Sequence, residues 1–141
     1  MNIQTDSPGD REMRVYQVSV GEGPHKIDIL ATLCGADLAL NICGGHKYHI
    51  GAAALAVPRP SLDDPQKISA TASVLAVTGH KEDELARRAA LLMAAARNCT
   101  VTAIVGIHID NATEKDLAIL TENCFGALNT LLAEQQTGNN S

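Results

Sequence analysis

Aromatic residues are nearly absent from this chain of 141 residues, which has no tryptophan, one phenylalanine (Phe125) and two tyrosines (Tyr16 and Tyr48). A core without large rings must be built from aliphatic and small side chains, so close backbone packing has to stand in for bulk. Paired cysteines are missing too. Cys34, Cys43, Cys99 and Cys124 show no C-x-x-C spacing, which leaves them as small core residues expected to stay reduced. No apolar run approaches the roughly 20 residues of a membrane helix, and the start MNIQTDSPGDRE has no basic or apolar leader region. A cytoplasmic protein is the expectation. The net charge of -5, with no basic stripe among aromatics, argues against binding nucleic acid. Neither a G-x-x-x-x-G-K-[ST] loop nor a nucleophile-elbow sequence is present, so nucleotide hydrolysis and a serine nucleophile have no motif.

What the chain does have is clean periodicity. Met13–Val20 alternates in the manner of a half-buried strand, and GEGP then supplies a turn. Further strands are expected over 26–33, 38–43, 50–57, 67–77 and 100–109, each bounded by turn residues. Within 67–77, Ser69, Thr71 and Ser73 share one face and Ala70, Ala72, Val74 and Ala76 the other. The segment PRPSLDDP, with three prolines in eight residues, reads as a restrained loop rather than an internal strand. Leu85, Ala89, Leu92 and Ala96 recur at helical spacing behind Glu82, Asp83 and Glu84, giving a helix over 82–98. A second begins near Thr113, where Asp116 completes a capping-box-like start, and is weakened near Gly126. Six strands and two helices, with five strands in succession, predict an α+β domain with a mainly antiparallel six-stranded sheet. One domain over 13–134 is expected, with flexible ends at 1–12 and 135–141. With two helices on one face, the other is left for a second copy or a ligand, and a homodimer is the expectation.

The residues with chemistry to offer are concentrated in one stretch. GGHKYHIG, residues 44–51, sets His46, Lys47 and His49 behind Gly44 and Gly45, a pattern suited to a tight turn that presents side chains and free N–H groups to an anion. From 44 to 81 the chain is locally basic through Lys47, Arg59, Lys67 and Lys81, with His46, His49 and His80 added. Arg59, fixed between Pro58 and Pro60, is poised for a phosphate, and Ser61, Ser69 and Thr71 add hydroxyl donors. Thr78-Gly79-His80-Lys81 looks like a phosphate turn, but the acids after it favour side-chain contacts over the helix end. Each of these can equally be a solvated loop charge or a strand hydroxyl facing water. Cys43, His46 and His49 stand at three-residue intervals, with His80 and His108 as further candidate ligands for a metal, yet the spacing matches no zinc signature and no metal is assigned. His108 and Asp110 share a strand face and could form an acid–base pair, while Asn111 caps a helix.

Three blocks, GGHKYHIGAAALAVPRPS, SATASVLAVTGHKEDELAR and GIHIDNAT, together resemble the small LpdD-type proteins that accompany gallate-type decarboxylases. The resemblance spans about residues 14–132. It implies a non-enzymatic chaperone that binds reduced prenylated FMN and assists its loading into a UbiD-type aromatic-acid decarboxylase, the flavin prenyltransferase being a further partner. It also implies a fold similar to the proteasome assembly chaperone subunits, which are dimeric. The alternative is a non-catalytic structural subunit of a hydroxyarylic acid decarboxylase complex; a small lyase or hydrolase is the third reading. On the flavin reading, the cofactor-binding candidates are Gly44, Gly45, His46, Lys47, His49, Arg59, Ser61, Lys67, Ser69, Thr71, His80, Lys81 and His108. Gly51, Ala52, Ala53 and Ala54 would leave room for the ring.

Overall fold

The computed structural model describes residues 10–77 and 82–139, with side chains to residue 134. Alternation builds six strands: β1 (Met13–Val20), β2 (Ile27–Cys34), β3 (Asp37–Gly45), β4 (Ala52–Pro60), β5 (Ile68–Ala76) and β6 (Val101–His108). Helix α1 (Asp83–Arg97) lies between β5 and β6, α2 (Glu114–Asn139) follows β6, and a short 3-10 turn spans Gly23–His25. The strands form one sheet in the order β1-β2-β3-β6-β4-β5. Its ladders are antiparallel except for β3 and β6, which run parallel because α1 intervenes before β6 enters between β3 and β4.

Register puts every inward residue on one face. Across one row Tyr16, Ala31, Leu40, Ala103, Ala54 and Val74 are successive partners, and on the next Val18, Ile29, Ile42, Val105 and Ala52. Both helices cover this face, α2 over β1 and β2 and α1 over β4, β5 and β6. The two halves are filled differently. Under α2 lie Ile27, Ile29, Leu40 and Ile42 against Leu120, Leu128 and Leu131, all fully or almost fully buried. Each such side chain contributes about 1.5–3 kcal/mol by leaving water. Under α1 the core is mostly alanine: Ala52, Ala54 and Ala56 of β4 meet a helix that buries Ala86, Ala89, Ala90 and Ala94. Small side chains on both partners let helix and sheet backbones approach closely, which recovers dispersion contacts that bulk would otherwise supply. The small residues of β4 therefore admit α1 and not a ligand, a correction to the sequence expectation for Ala52 and Ala54.

Two further differences have clear causes. Pro58 and Pro60 lie inside β4, opposite Ala70 and Ile68 of β5. Pairing with β6 stops at Ala56, however, and Ser61 N–H donates to Lys67 O across the β5 side. By alternation the nitrogens of Pro58 and Pro60 face the side β6 has already left, where no donor is missed. Helix α2 also continues without a break through Gly126. Asn98, at φ 52° and ψ 52°, closes α1 in the left-handed conformation that asparagine tolerates.

Among the described residues nothing covers the sheet's other face. Val15, Thr32, Ala39, Thr102, Leu55 and Ser73 form one of its rows, and Met13, Val15 and Leu75 are 74%, 62% and 81% exposed. The hydroxyl row Ser69, Thr71 and Ser73 stands on this face, as the alternation requires. Cys99 and Cys124 are core residues, whereas Cys43 is half-buried and Cys34 exposed. Burial pushes the Cys124 thiol up to about 12.

Candidate functional site

The parallel pair fixes where the site lies. β3 and β6 both finish at one end of the sheet, at Gly45 beside His108, and α1 and α2 both begin there. Open α/β sheets place ligands outside the carboxyl ends of parallel strands for the same reason: loops diverge there and helix N-termini converge.

Glycines make this end possible. A Cβ on Gly106 would lie 1.5 Å from the carbonyl oxygen of His49, and one on Gly45, at φ 83°, would lie 2.2 Å from that of His108. A Cβ on Gly51 would meet the Glu82 carboxylate at 2.6 Å. The segment 46–51 can lie on the end of β6 only because these positions carry no side chain. Two N–H groups of the run are taken up by the sheet. His46 N–H donates to His108 O at 2.6 Å, and Gly51 N–H to Val105 O at 2.8 Å. The run also brings side chains to this end.

Those side chains are brought together from four segments. His49 Nε2 lies 3.1 Å from Glu82 Oε1, with side chains 18% and 10% exposed, and Ile107 N–H also approaches Glu82 Oε1 at 3.4 Å. The Glu82 carboxylate thus closes the gap where β4 and β6 part. His108 Nε2 and Asp110 Oδ1 are 2.9 Å apart, so the expected pair is formed, and Asp110 N–H donates to His46 Nδ1 at 3.2 Å. The His49 and His108 rings meet edge to face at 6.4 Å. Lys47 is exposed and forms no ion pair among the described residues. The Tyr48 hydroxyl donates to Asp28, which also accepts from Ser19; these bonds, Ser19 first, hold the Asp28 carboxyl below its usual range, and the bond to Asp28 raises Tyr48 to about 12. Among the described residues no three His, Cys, Asp or Glu side chains are placed to hold one metal ion.

Beside this cluster, between the starts of the two helices, lies a cavity of about 370 Å3. Leu85 and Arg88 of α1, Ile107 and His108 of β6, and Leu117 and Leu120 of α2 are among its walls. His108 belongs to both cluster and cavity.

The candidates read from sequence divide into two groups. Gly44, Gly45, His46, Lys47, His49 and His108 meet at this end. Arg59, Ser61, Lys67, Ser69 and Thr71 stand toward the opposite end of β4 and β5, about 15–25 Å away along the strands. There Arg59 Nε donates to Thr71 Oγ1 at 2.8 Å and Nη1 to Pro60 O at 3.1 Å. One phosphate cannot touch both groups within a chain. His80 and Lys81 lie outside the described residues. The sequence reading missed Glu82, hidden among three consecutive acids, and Arg88, Leu117 and Leu120, whose helical spacing speaks only of packing.

A two-layer α+β domain with helices on one face and an uncovered sheet on the other is the class this fold defines. Its likeness is to a chain in the crystal structure of a novel chaperone complex for yeast 20S proteasome assembly, with a TM-score of 0.55 and 15% identity over 89% of this chain and 96% of that one. That likeness is one of fold. The model of the prenylated flavin chaperone LpdD-like domain matches residues 21–136, and the chain belongs to that family. No curated protein matches it in sequence. No helix among the described residues is long and apolar enough to cross a membrane.

Proposed function

We propose that the protein is a non-catalytic carrier that holds reduced prenylated FMN in the cavity between α1 and α2 and passes it to a UbiD-type aromatic-acid decarboxylase. The match of the prenylated flavin chaperone family over residues 21–136 carries this reading. The cavity fits the cargo in kind. Its volume of about 370 Å3 falls within the usual span of small-molecule pockets, and aliphatic side chains share its walls with Glu82, Glu84, Arg88, His108 and Thr121. A flavin phosphate is a dianion near neutral pH; on this reading His108 of the cavity wall receives it, with His46 and Lys47 of the adjoining cluster as further donors. The ring contributes the chemistry only in the decarboxylase; here the chain's own residues bind and shield it. A carrier must also release its load, which suits an open mouth of exposed side chains.

Anaerobic titration with reduced prenylated FMN tests this. Saturable binding is expected, weakened about tenfold by Lys47→Ala or His108→Ala, as for loss of one charge-assisted contact. Arg59→Ala and Lys67→Ala are expected to leave it unchanged. Absence of binding by folded wild-type protein would overturn the carrier reading, and weakening only by Arg59→Ala or Lys67→Ala would move the site to the other end of β4.

The uncovered sheet face supports a second reading, a standing subunit of a decarboxylase complex, since Val15, Leu55 and Leu75 are exposed there. Co-purification in fixed stoichiometry favours that reading; a homodimer in solution with only transient contact to the decarboxylase favours the carrier.

A further inference from the structure

Three charged side chains of the cavity wall come from α1 or the residue before it, and they differ in what they touch. Glu82 faces His49 and the Ile107 N–H, as described. Glu84 lies 3.6 Å from Arg87. Arg88 has no carboxylate: it forms no ion pair among the described residues, and its guanidinium carbon instead lies 4.6 Å from the centroid of the Phe125 ring. An aromatic face attracts a guanidinium and restricts its orientation while leaving its edge N–H groups able to donate. Leu85, Ile107, Leu117 and Leu120 surround the same space. A cation that no protein anion pairs, in a wall where Glu82 and Glu84 are engaged by His49 and Arg87, is complementary to a ligand that carries its own negative charge on a planar, otherwise apolar body.

We propose that Arg88, backed by Phe125, reads the charge of the flavin ring and makes this cavity select the reduced form over the oxidised one. The proposal rests on the carrier reading above. A reduced flavin loses a proton from its pyrimidine portion and becomes an anion along the edge that includes N1 and the neighbouring carbonyl; oxidation removes that charge. The phosphate is the same in both forms. A donor on the ring edge therefore changes its contribution with redox state, whereas a donor on the phosphate does not. Arg88 is a specificity-determining residue on this view, and His108, His46 and Lys47 bind both forms alike.

The test is anaerobic titration of the full chain with prenylated FMN, in its dithionite-reduced and its oxidised form, at fixed pH and ionic strength. Wild-type protein is expected to prefer the reduced form by about tenfold or more, the worth of a hydrogen bond to a charged group. Arg88→Gln should keep the affinity for the oxidised form and lose the preference, with Arg88→Lys retaining part of it. Phe125→Leu should lower the preference while leaving the charge in place. Equal loss of both forms in Arg88→Gln would put the guanidinium on the phosphate and overturn the proposal, as would a wild-type protein that binds both forms equally. Binding of neither form by folded wild-type protein would overturn the carrier reading as well. Thermal melting of each variant separates these outcomes from loss of fold.

Discussion

At its Gly51 end β4 lies between β5 and β6, whereas beyond Ala56 it keeps β5 alone. The crowded end admits a loop, the acid that precedes α1 and the end of β6 into one space, and glycines stand where any side chain would collide. The other end has room, so it tolerates Pro58 and Pro60 and leaves Arg59 bonded only to near neighbours. Both ends carry cations and hydroxyls. What separates them is convergence: His46, His49, Glu82, His108 and Asp110 come from distant stretches of chain and meet, while Arg59, Lys67 and Thr71 belong to one hairpin. A site that holds a ligand against water needs walls on several sides, and among the described residues the crowded end has such walls around the cavity.

Breaking the crowded end should cost most. Gly106→Ala forces a methyl into the His49 carbonyl, which is backbone and cannot rotate away. The expected destabilisation is near the top of the about 1–3 kcal/mol typical of overpacking, with the 46–51 segment displaced. Pro58→Ala at the roomy end should stay within about 0.5 kcal/mol of wild type. Chemical denaturation of the two variants compares them directly. Equal effects would mean that the close approach of His49 to β6 is not a constraint on the fold.

A smaller loss is expected from Glu82→Ala. This substitution leaves the half-buried His49 imidazole and the Ile107 N–H without that carboxylate, for about 1–2 kcal/mol by the usual cost of a shielded group losing its partner. Glu82→Gln keeps an oxygen in place and should recover part of it. If Glu82→Ala melts with wild type, the carboxylate does not anchor the loop, and the contrast between the two ends rests on the glycines alone.

Much of the fold was legible because alternation with few interruptions leaves little choice: all six strands lie where period two and turn residues place them, β4 running furthest past its expected end. The misreadings share one cause, which is that a sequence does not say what lies beside a residue. PRPSLDDP looks hostile to a strand until β6 is known to stop at Ala56. Ala52 and Ala54 suit a ligand and a close-packed helix equally well, and the alanines of α1 decide for the helix. Gly106 sits in the apolar alternation of β6 with no local sign of the carbonyl it accommodates. Glu82 reads as one of three acids favoured by the start of a helix, yet it turns to the sheet. Summing charge over 44–81 joined two groups that β4 holds apart, because charge counted along a chain is blind to the direction a strand runs.

The least costly way to sharpen the contrast is at the start of α2, on the crowded end, where the capping pair forms as the sequence predicts. Thr113 N–H donates to Asp116 Oδ2 at 2.9 Å, Asp116 N–H donates to Thr113 Oγ1 at 3.1 Å, and His25 Nε2 lies 2.8 Å from Asp116 Oδ1. The Thr113 N–H first, and then His25 and the Thr113 hydroxyl, hold the Asp116 carboxyl down at about 2 from its ordinary 3.8. A lowered folded value means that the native state favours the carboxylate. Its stabilising effect is fully present above the unfolded value of 3.8 and is lost as pH falls through about 2. Asp116→Asn should therefore melt below wild type by a small margin above pH 3.8, and the two melting curves should draw together as the pH approaches about 2. A margin that stays constant over that window would mean that the side chain acts through shape alone, and the α2 start would then add no electrostatic difference between the two ends of the sheet.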